Sequence, residues 1–143
     1  MRILWVKADK LLPVHNGGNI RTYNIVRTLA SSHALTFFSY YGGAPDLKYG
    51  YELCREVPGA VALNTEKNEL NASGRALDYL LQMWRPEPYA VSRFTSSLVI
   101  NRLKSFLSEG RFDVAVCDFL DAAVNFPRQS RTGCDGMSAN PDT

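Results

Sequence analysis

The chain has 143 residues, of which 45% are hydrophobic and 21% charged, and its formal net charge is +2. These values are typical of one globular domain with a buried core, and so small a charge gives no indication of a nucleic-acid partner. No run of about 18 apolar residues is present to span a membrane, and no signal-peptide pattern opens the chain, which favours a cytoplasmic protein. The three cysteines include no CxxC pair, so neither a disulfide framework nor a zinc site is indicated.

The first predicted elements are a strand, a glycine loop and a helix. Residues 2–6, RILWV, form a short apolar run with β-branched and aromatic members, which predicts a buried strand. The loop that follows contains Gly17 and Gly18, and Asn19 is a suitable N-cap for the next helix. That helix is amphipathic. Its apolar side carries Tyr23, Val26, Leu29 and Ala30, and its polar side carries Arg21, Asn24, Arg27 and Thr28.

Strand and helix patterns then alternate. Residues 34–41, ALTFFSYY, predict a second strand that ends at a glycine–proline turn over residues 42–45. Residues 60–63 predict a short third strand. Leucines at helical spacing over residues 70–84 predict a helix, which the prolines of residues 86–88 stop.

A second helix and a fourth strand complete the pattern. Thr95 or Ser96 is the predicted cap of that helix, and Gly110 lies just past its end. Its apolar face carries Val99, Leu103 and Phe106. Residues 112–120, FDVAVCDFL, make the clearest strand pattern in the chain, and we expect Cys117 to be a small buried hydrophobic residue there.

This alternation predicts an α/β fold, an open, Rossmann-like, mostly parallel sheet with flanking helices. We expect residues 1–126 to form this domain. Residues 127–143 contain no Leu, Ile, Val, Phe, Tyr or Trp, so we expect a polar, disordered tail that cannot offset its ordering entropy by burial. The abrupt change in composition is typical of a truncated or frame-shifted gene.

The glycine pair is placed where parallel α/β sheets bind ligands, beyond the carboxyl end of the first strand. Gly17 and Gly18 allow a left-handed backbone and the close approach of a ligand to the main chain. The following helix N-terminus offers free N–H groups and partial positive charge, which suit a phosphate or diphosphate. The loop matches neither GxGxxG nor GxxxxGK[ST], so a tight turn without a ligand is the alternative.

Four other polar residues are candidates for ligand binding. His15 precedes the glycine pair, and Arg93 follows a proline-rich turn from which it would face an anionic group. Asp118 and Asp121 are expected at the same edge of the sheet, where carboxylates accept hydrogen bonds from sugar hydroxyls or position a base. Each has a structural alternative: a solvated histidine, a surface ion pair at Arg93, and a helix cap at Asp121.

Five segments together resemble the N-terminal domain of family 4 glycosyltransferases, which have the two-domain GT-B fold. The segments are MRILWV, PVHNGGNIR, RTLASSHALTFFSYY, PEPYAVSRF and FDVAVCDFLDAA, within residues 1–126. The most specific part is the glycine pair after the first strand, together with the helix and the HALTFF strand that follow it.

The resemblance implies transfer of a sugar from a nucleotide-sugar donor to a sugar or lipid-linked acceptor, without a divalent metal or other cofactor. By position, the residues that would approach the donor diphosphate are Gly17, Gly18 and Asn19. The possible acceptor-side residues are His15, Arg93, Asp118 and Asp121. Many relatives act at the inner face of the membrane, which implies peripheral association, although no basic amphipathic helix stands out here.

This sequence does not match the family's nucleotide-binding second domain, so we expect an N-terminal fragment that is inactive alone. One alternative is a stand-alone α/β binding module for a phosphorylated ligand or a protein partner. Another is a response-regulator-like domain, which would carry paired acidic residues after the first strand. Here WVKADK supplies only Asp9.

Overall fold

The computed structural model describes residues 1–65 and 95–127. Its first five elements are β1 (Arg2–Ala8), α1 (Gly17–Ser32), β2 (Ala34–Tyr41), α2 (Leu47–Glu56) and β3 (Val61–Asn64). The others are α3 (Ser97–Ser108), β4 (Val114–Asp118) and α4 (Leu120–Ala123). The helix predicted over residues 70–84, Arg93, and all of the predicted tail after residue 127 lie outside the described residues.

The four strands form one open sheet in the order β3-β2-β1-β4, and every neighbouring pair is parallel. Parallel neighbours need crossover connections, which helices supply. The predicted α/β class, with a Rossmann-like open sheet and flanking helices, is therefore confirmed. In the register of β1 and β4, Lys7 lies beside Asp118.

Each face of the sheet packs against helices, and each has its own apolar cluster. On one face, Trp5 and Phe37 are buried with Val26 of α1 and Leu53 of α2. On the other face, the cluster contains Leu4, Val6, Phe38, Val99, Leu103 and Ala122. Burial on both faces explains why β1 and β2 read as continuous apolar runs rather than as alternating patterns.

Several predicted elements are confirmed, with small shifts at their ends. The strand predicted over residues 34–41 is β2, and β1 extends two residues beyond the predicted 2–6. The helix with Ser96 at its N-cap is α3, and its Val99 and Leu103 are buried. The sequence patterns did not indicate α2, in which Tyr49 and Leu53 are buried.

The predicted burial of Cys117 is wrong. Three residues of β4, namely Val114, Ala115 and Cys117, are exposed. No described strand pairs with the outer edge of β4, so this apolar strand, typical of a sheet interior, lies at the edge of the described part of the sheet. Desolvation nevertheless raises the pKa of the Cys117 thiol, which disfavours the reactive thiolate form.

Candidate functional site

The carboxyl ends of β1 and β4 define the site. The chain passes from β1 outward to β2 and β3, and β4 then pairs with the opposite side of β1. The crevice between β1 and β4 is thus the topological switch point of the sheet, the position where open α/β sheets bind ligands. The first turn of α1 follows β1 and borders the same crevice.

Both strands that meet at this crevice are followed by a residue with a positive φ. Asp9 comes directly after β1 with φ 86°, and Phe119 comes directly after β4 with φ 66°. This left-handed region is strained for residues with a side chain, and such strain concentrates at ligand sites. The positions of Asp9 and Phe119 therefore indicate that the candidate site lies at the carboxyl ends of β1 and β4.

Asp118 lies at the centre of a group of side chains that we call the Asp118 cluster, made of Lys7, Arg21, Thr22, Asp118 and Phe119. The Thr22 hydroxyl donates to Oδ2 of Asp118 at 2.6 Å. Lys7 Nζ donates to the same oxygen at 3.4 Å, and Arg21 donates to Oδ1 at 3.2 Å. The carboxylate side chain has 0% exposure, so a ligand in solvent does not reach it in this arrangement.

The two cations of the cluster differ in their access to solvent. The Lys7 side chain is 6% exposed and that of Arg21 is 56% exposed. Both lie against the Phe119 ring, with Lys7 Nζ 5.5 Å and Arg21 Cζ 4.6 Å from its centre. Cation–π attraction and the ion pair with Asp118 therefore hold the Arg21 guanidinium at the mouth of the crevice.

The predicted helix start at Asn19 is wrong, because α1 begins at Gly17 with Asn16 as its N-cap. The Asn16 side chain accepts the Asn19 N–H at 2.7 Å, and the Asn16 carbonyl accepts the N–H of Ile20 at 2.9 Å. Within the described part of the chain, the N–H groups of Gly17 and Gly18 have no acceptor. They are the unsatisfied donors that a helix N-terminus presents.

The glycine pair does not adopt the left-handed backbone that glycine allows, since neither Gly17 nor Gly18 has a positive φ. A Cβ on Gly17 would meet nothing within 4 Å. A Cβ on Gly18 would lie 3.3 Å from Oδ1 of Asn16 and 3.4 Å from the Phe119 ring. Gly18 thus makes room for packing inside the protein, and Gly17 leaves open space beside the crevice.

Hydrogen bonds fix the loop between β1 and α1 to the rest of the fold. The Ser39 hydroxyl donates to the Asp9 carbonyl at 3.0 Å, and the Leu11 N–H donates to the Tyr49 hydroxyl at 3.1 Å. The Asn19 side chain donates to the Lys10 carbonyl at 3.2 Å. These bonds hold the first turn of α1 in place before any ligand arrives, which lowers the entropic cost of binding.

Lys10 contributes a further link between this loop and α2. Its Nζ lies 2.7 Å from Oδ2 of Asp46, the N-cap of α2, and 4.7 Å from the centre of the Tyr41 ring. The hydrogen bond from Lys10 and the Tyr49 N–H hold the pKa of Asp46 below its usual value. The charge of Lys10 is therefore already paired within the protein.

The remaining predicted site residues have different surroundings. His15 is exposed in the loop before α1, and Arg93 lies outside the described residues. Asp121 is partly buried in the first turn of α4, where Phe119 occupies the N-cap, so the alternative of a helix cap at Asp121 is wrong. The Tyr40 hydroxyl donates to the Asp121 carbonyl at 3.0 Å.

Sequence reasoning missed four members of the Asp118 cluster. Lys7 interrupts an apolar strand, and a charge within such a run is itself a signal of a buried partner. Arg21 and Thr22 gave no such signal, because the polar side of an amphipathic helix is ordinarily exposed. Phe119 reads as one more apolar residue at the end of a strand.

Comparisons of the chain with protein-family models, with curated proteins and with solved structures found no match. Within residues 1–65 and 95–127, no three His, Cys, Asp or Glu side chains are grouped so as to hold a metal ion. No helix in those same ranges is long and apolar enough to cross a membrane. The class of the molecule therefore rests on its fold, a parallel, Rossmann-like α/β sheet with a structured crevice at its switch point.

Proposed function

We propose that this chain is the N-terminal, acceptor-side domain of a family 4 glycosyltransferase with the GT-B fold. The whole enzyme would transfer a sugar from a nucleotide-sugar donor to a sugar or lipid-linked acceptor. The observation that carries the proposal is the first turn of α1, where the N–H groups of Gly17 and Gly18 lack acceptors in the described part of the chain. These donors border the switch-point crevice, where an anionic diphosphate would be stabilised.

In this proposal the glycine residues bind the diphosphate, and the neighbouring asparagines hold the loop in place. Gly17 and Gly18 offer backbone N–H groups to the leaving diphosphate, an electrostatic stabilisation that needs no metal. Asn19 acts through the loop, because its N–H is capped by Asn16 and its side chain holds the Lys10 carbonyl.

The acceptor side would be formed around the same crevice. We assign His15 and Asp121 to acceptor contact and Asp118 to positioning, because the Asp118 carboxylate is fully buried. Arg93 lies outside the described residues, and its assignment to acceptor contact comes from the sequence alone. The cytoplasm, at the inner face of the membrane when the acceptor is a lipid, is the location that we propose.

The edge strand β4 supports the idea that this domain functions within a longer enzyme. Its residues Val114, Ala115 and Cys117 are exposed although the strand is apolar. A further strand and its helix would cover this edge, since an exposed apolar edge strand is a template for pairing with another strand. The second domain would supply the nucleotide site, so this chain alone should have no transferase activity.

Calorimetry with a panel of UDP- and GDP-sugars tests the proposal against the stand-alone binding module. The folded chain should bind each nucleotide-sugar no more tightly than inorganic pyrophosphate, because the second domain of the whole enzyme would recognise the nucleoside. Any binding should be lost in Gly17→Val, which fills open space and leaves the Phe119 packing intact. Tight binding of one nucleotide-sugar by the chain alone would overturn the fragment proposal and favour the module.

The coding DNA provides an independent test. An adjoining reading frame that encodes a second α/β domain would support the proposal. An adjoining sequence with no apolar strand patterns in any frame would count against it.

A further inference from the structure

We propose that Arg21 contacts a phosphate group of the ligand and that the Asp118 cluster positions it for this contact. The inference deepens the proposed function and rests on it for the source of the phosphate, either the donor diphosphate or a phosphorylated acceptor lipid. The phosphate contact itself rests on the geometry and charge of the cluster.

The guanidinium of Arg21 has a geometry suited to phosphate. One edge of Arg21 is fixed by Asp118 at 3.2 Å and one face is placed on the Phe119 ring at 4.6 Å. A guanidinium has five N–H donors, and the side chain is still 56% exposed. A fixed fork with free donors is suited to the oxygens of a phosphate.

The position of Arg21 on α1 also favours contact with an anion at the helix N-terminus. Arg21 is four residues after Gly17, so both lie on the same face of the helix, and its side chain leans toward the N-terminus. The space that a side chain at position 17 would occupy is open to 4 Å. An anion in that space would face the backbone N–H of Gly17 and the guanidinium together.

The Asp118 cluster contains more positive than negative charge. Lys7 and Arg21 share one carboxylate, Asp118. Among the described residues, neither Asp9 nor Asp121 forms an ion pair with either cation. The cluster therefore has one surplus positive charge beside a buried carboxylate, and the exposed Arg21 guanidinium makes that charge accessible to an anionic ligand.

The decisive experiment measures the binding of inorganic pyrophosphate to the full chain by calorimetry at low ionic strength. Arg21→Gln should weaken binding about tenfold or more, as expected for a lost hydrogen bond to a charged group. Arg21→Lys should recover only part of the affinity, because it keeps the charge and loses the fork and the stacking.

Arg27→Gln is the matched control. Arg27 is exposed on the same helix and lies over the Tyr23 ring at 5.5 Å, away from the cluster. Its replacement should change the affinity less than twofold, and circular dichroism should show all three variants folded. Equal losses in Arg21→Gln and Arg27→Gln, or no pyrophosphate binding by the folded chain, would overturn the inference.

Competition identifies the source of the phosphate. Displacement of pyrophosphate by UDP indicates the donor, and displacement by phosphatidic acid vesicles, with phosphatidylcholine vesicles inactive, indicates a lipid acceptor. Displacement by neither would refute the assignment of this ligand class. If instead a coding sequence for a second domain is lacking, the transferase proposal fails while an Arg21-dependent pyrophosphate site stands, so the two failures are distinguishable.

Discussion

Replacement of Asp118 with asparagine tests the Asp118 cluster directly. The change keeps the side-chain shape and removes the negative charge that Lys7 and Arg21 share. Lys7, whose side chain is almost fully buried, would then lack its counter-charge, and one of the donors that now meet a carboxylate oxygen would face an amide NH₂ group. Removal of one partner from a buried ion pair costs about 3–5 kcal/mol.

That loss is large against a typical total stability of about 5–15 kcal/mol for a domain. Equilibrium unfolding in urea, followed by circular dichroism, measures it as the difference in the free energy of unfolding. The matched control is Asp113→Asn, since Asp113 pairs with Arg2 just before β4 but both side chains are substantially exposed. Exposed pairs contribute little to stability, so the control should show a much smaller loss.

A second variant separates the charge effect from general damage at the site. Lys7→Met, combined with Asp118→Asn, removes the unpaired buried cation and should recover at least about 1 kcal/mol of the loss. The reasoning fails if Asp118→Asn costs no more than Asp113→Asn, or if Lys7→Met recovers nothing in that background.

Three further predictions concern other parts of the fold. Burial raises the pKa of Tyr40 to about 12 from 10.0. The contribution of the neutral Tyr40 side chain to the free energy of unfolding is therefore complete below pH 10 and is lost as the pH rises toward 12. A tyrosinate absorbance titration should lose its highest step in Tyr40→Phe, and an unchanged titration would contradict this. Tyr49→Phe leaves the buried Leu11 N–H without its acceptor. This should lower the free energy of unfolding in urea by about 1–3 kcal/mol and speed hydrogen exchange at the Leu11 amide. Unchanged exchange would refute the role of Tyr49 in holding the loop. Gly17→Ala should leave the thermal midpoint of unfolding unchanged or raise it, because the added Cβ meets only open space. Gly18→Val should lower the midpoint, because the new side chain would contact the Phe119 ring. Equal midpoints for the two variants would contradict this.

Much of the fold was predictable because its signals are local. The strand over residues 34–41 and the helix that follows Ser96 were both correctly placed, since apolar runs and helical spacing report on burial within one segment. The missed helix α2 shows the limit of this reasoning. Gly50 lies in the middle of this ten-residue helix, and glycine lowers the helix propensity of so short a segment.

The error in the position of the α1 N-terminus had a different cause. Asn16 and Asn19 are both good capping residues, and the choice of Asn16 depends on where the chain leaves β1. The packing around Gly18 was not predicted either: a Cβ at this position would lie nearest the Asn16 side chain and the Phe119 ring. Phe119 is about 100 residues away along the chain, so no local pattern could reveal that contact.

Local sequence patterns alone establish that this chain alternates strands with helices and that a glycine loop follows its first strand, because periodicity and turn preference act within a few residues. Tertiary structure alone decides the strand order β3-β2-β1-β4, and with it the exposure of Cys117 at the sheet edge. It also brings Lys7, Arg21 and Asp118 together across separations of up to 111 residues. Such contacts depend on which strands become neighbours, and that choice is made by the packing of the whole domain rather than by any one segment.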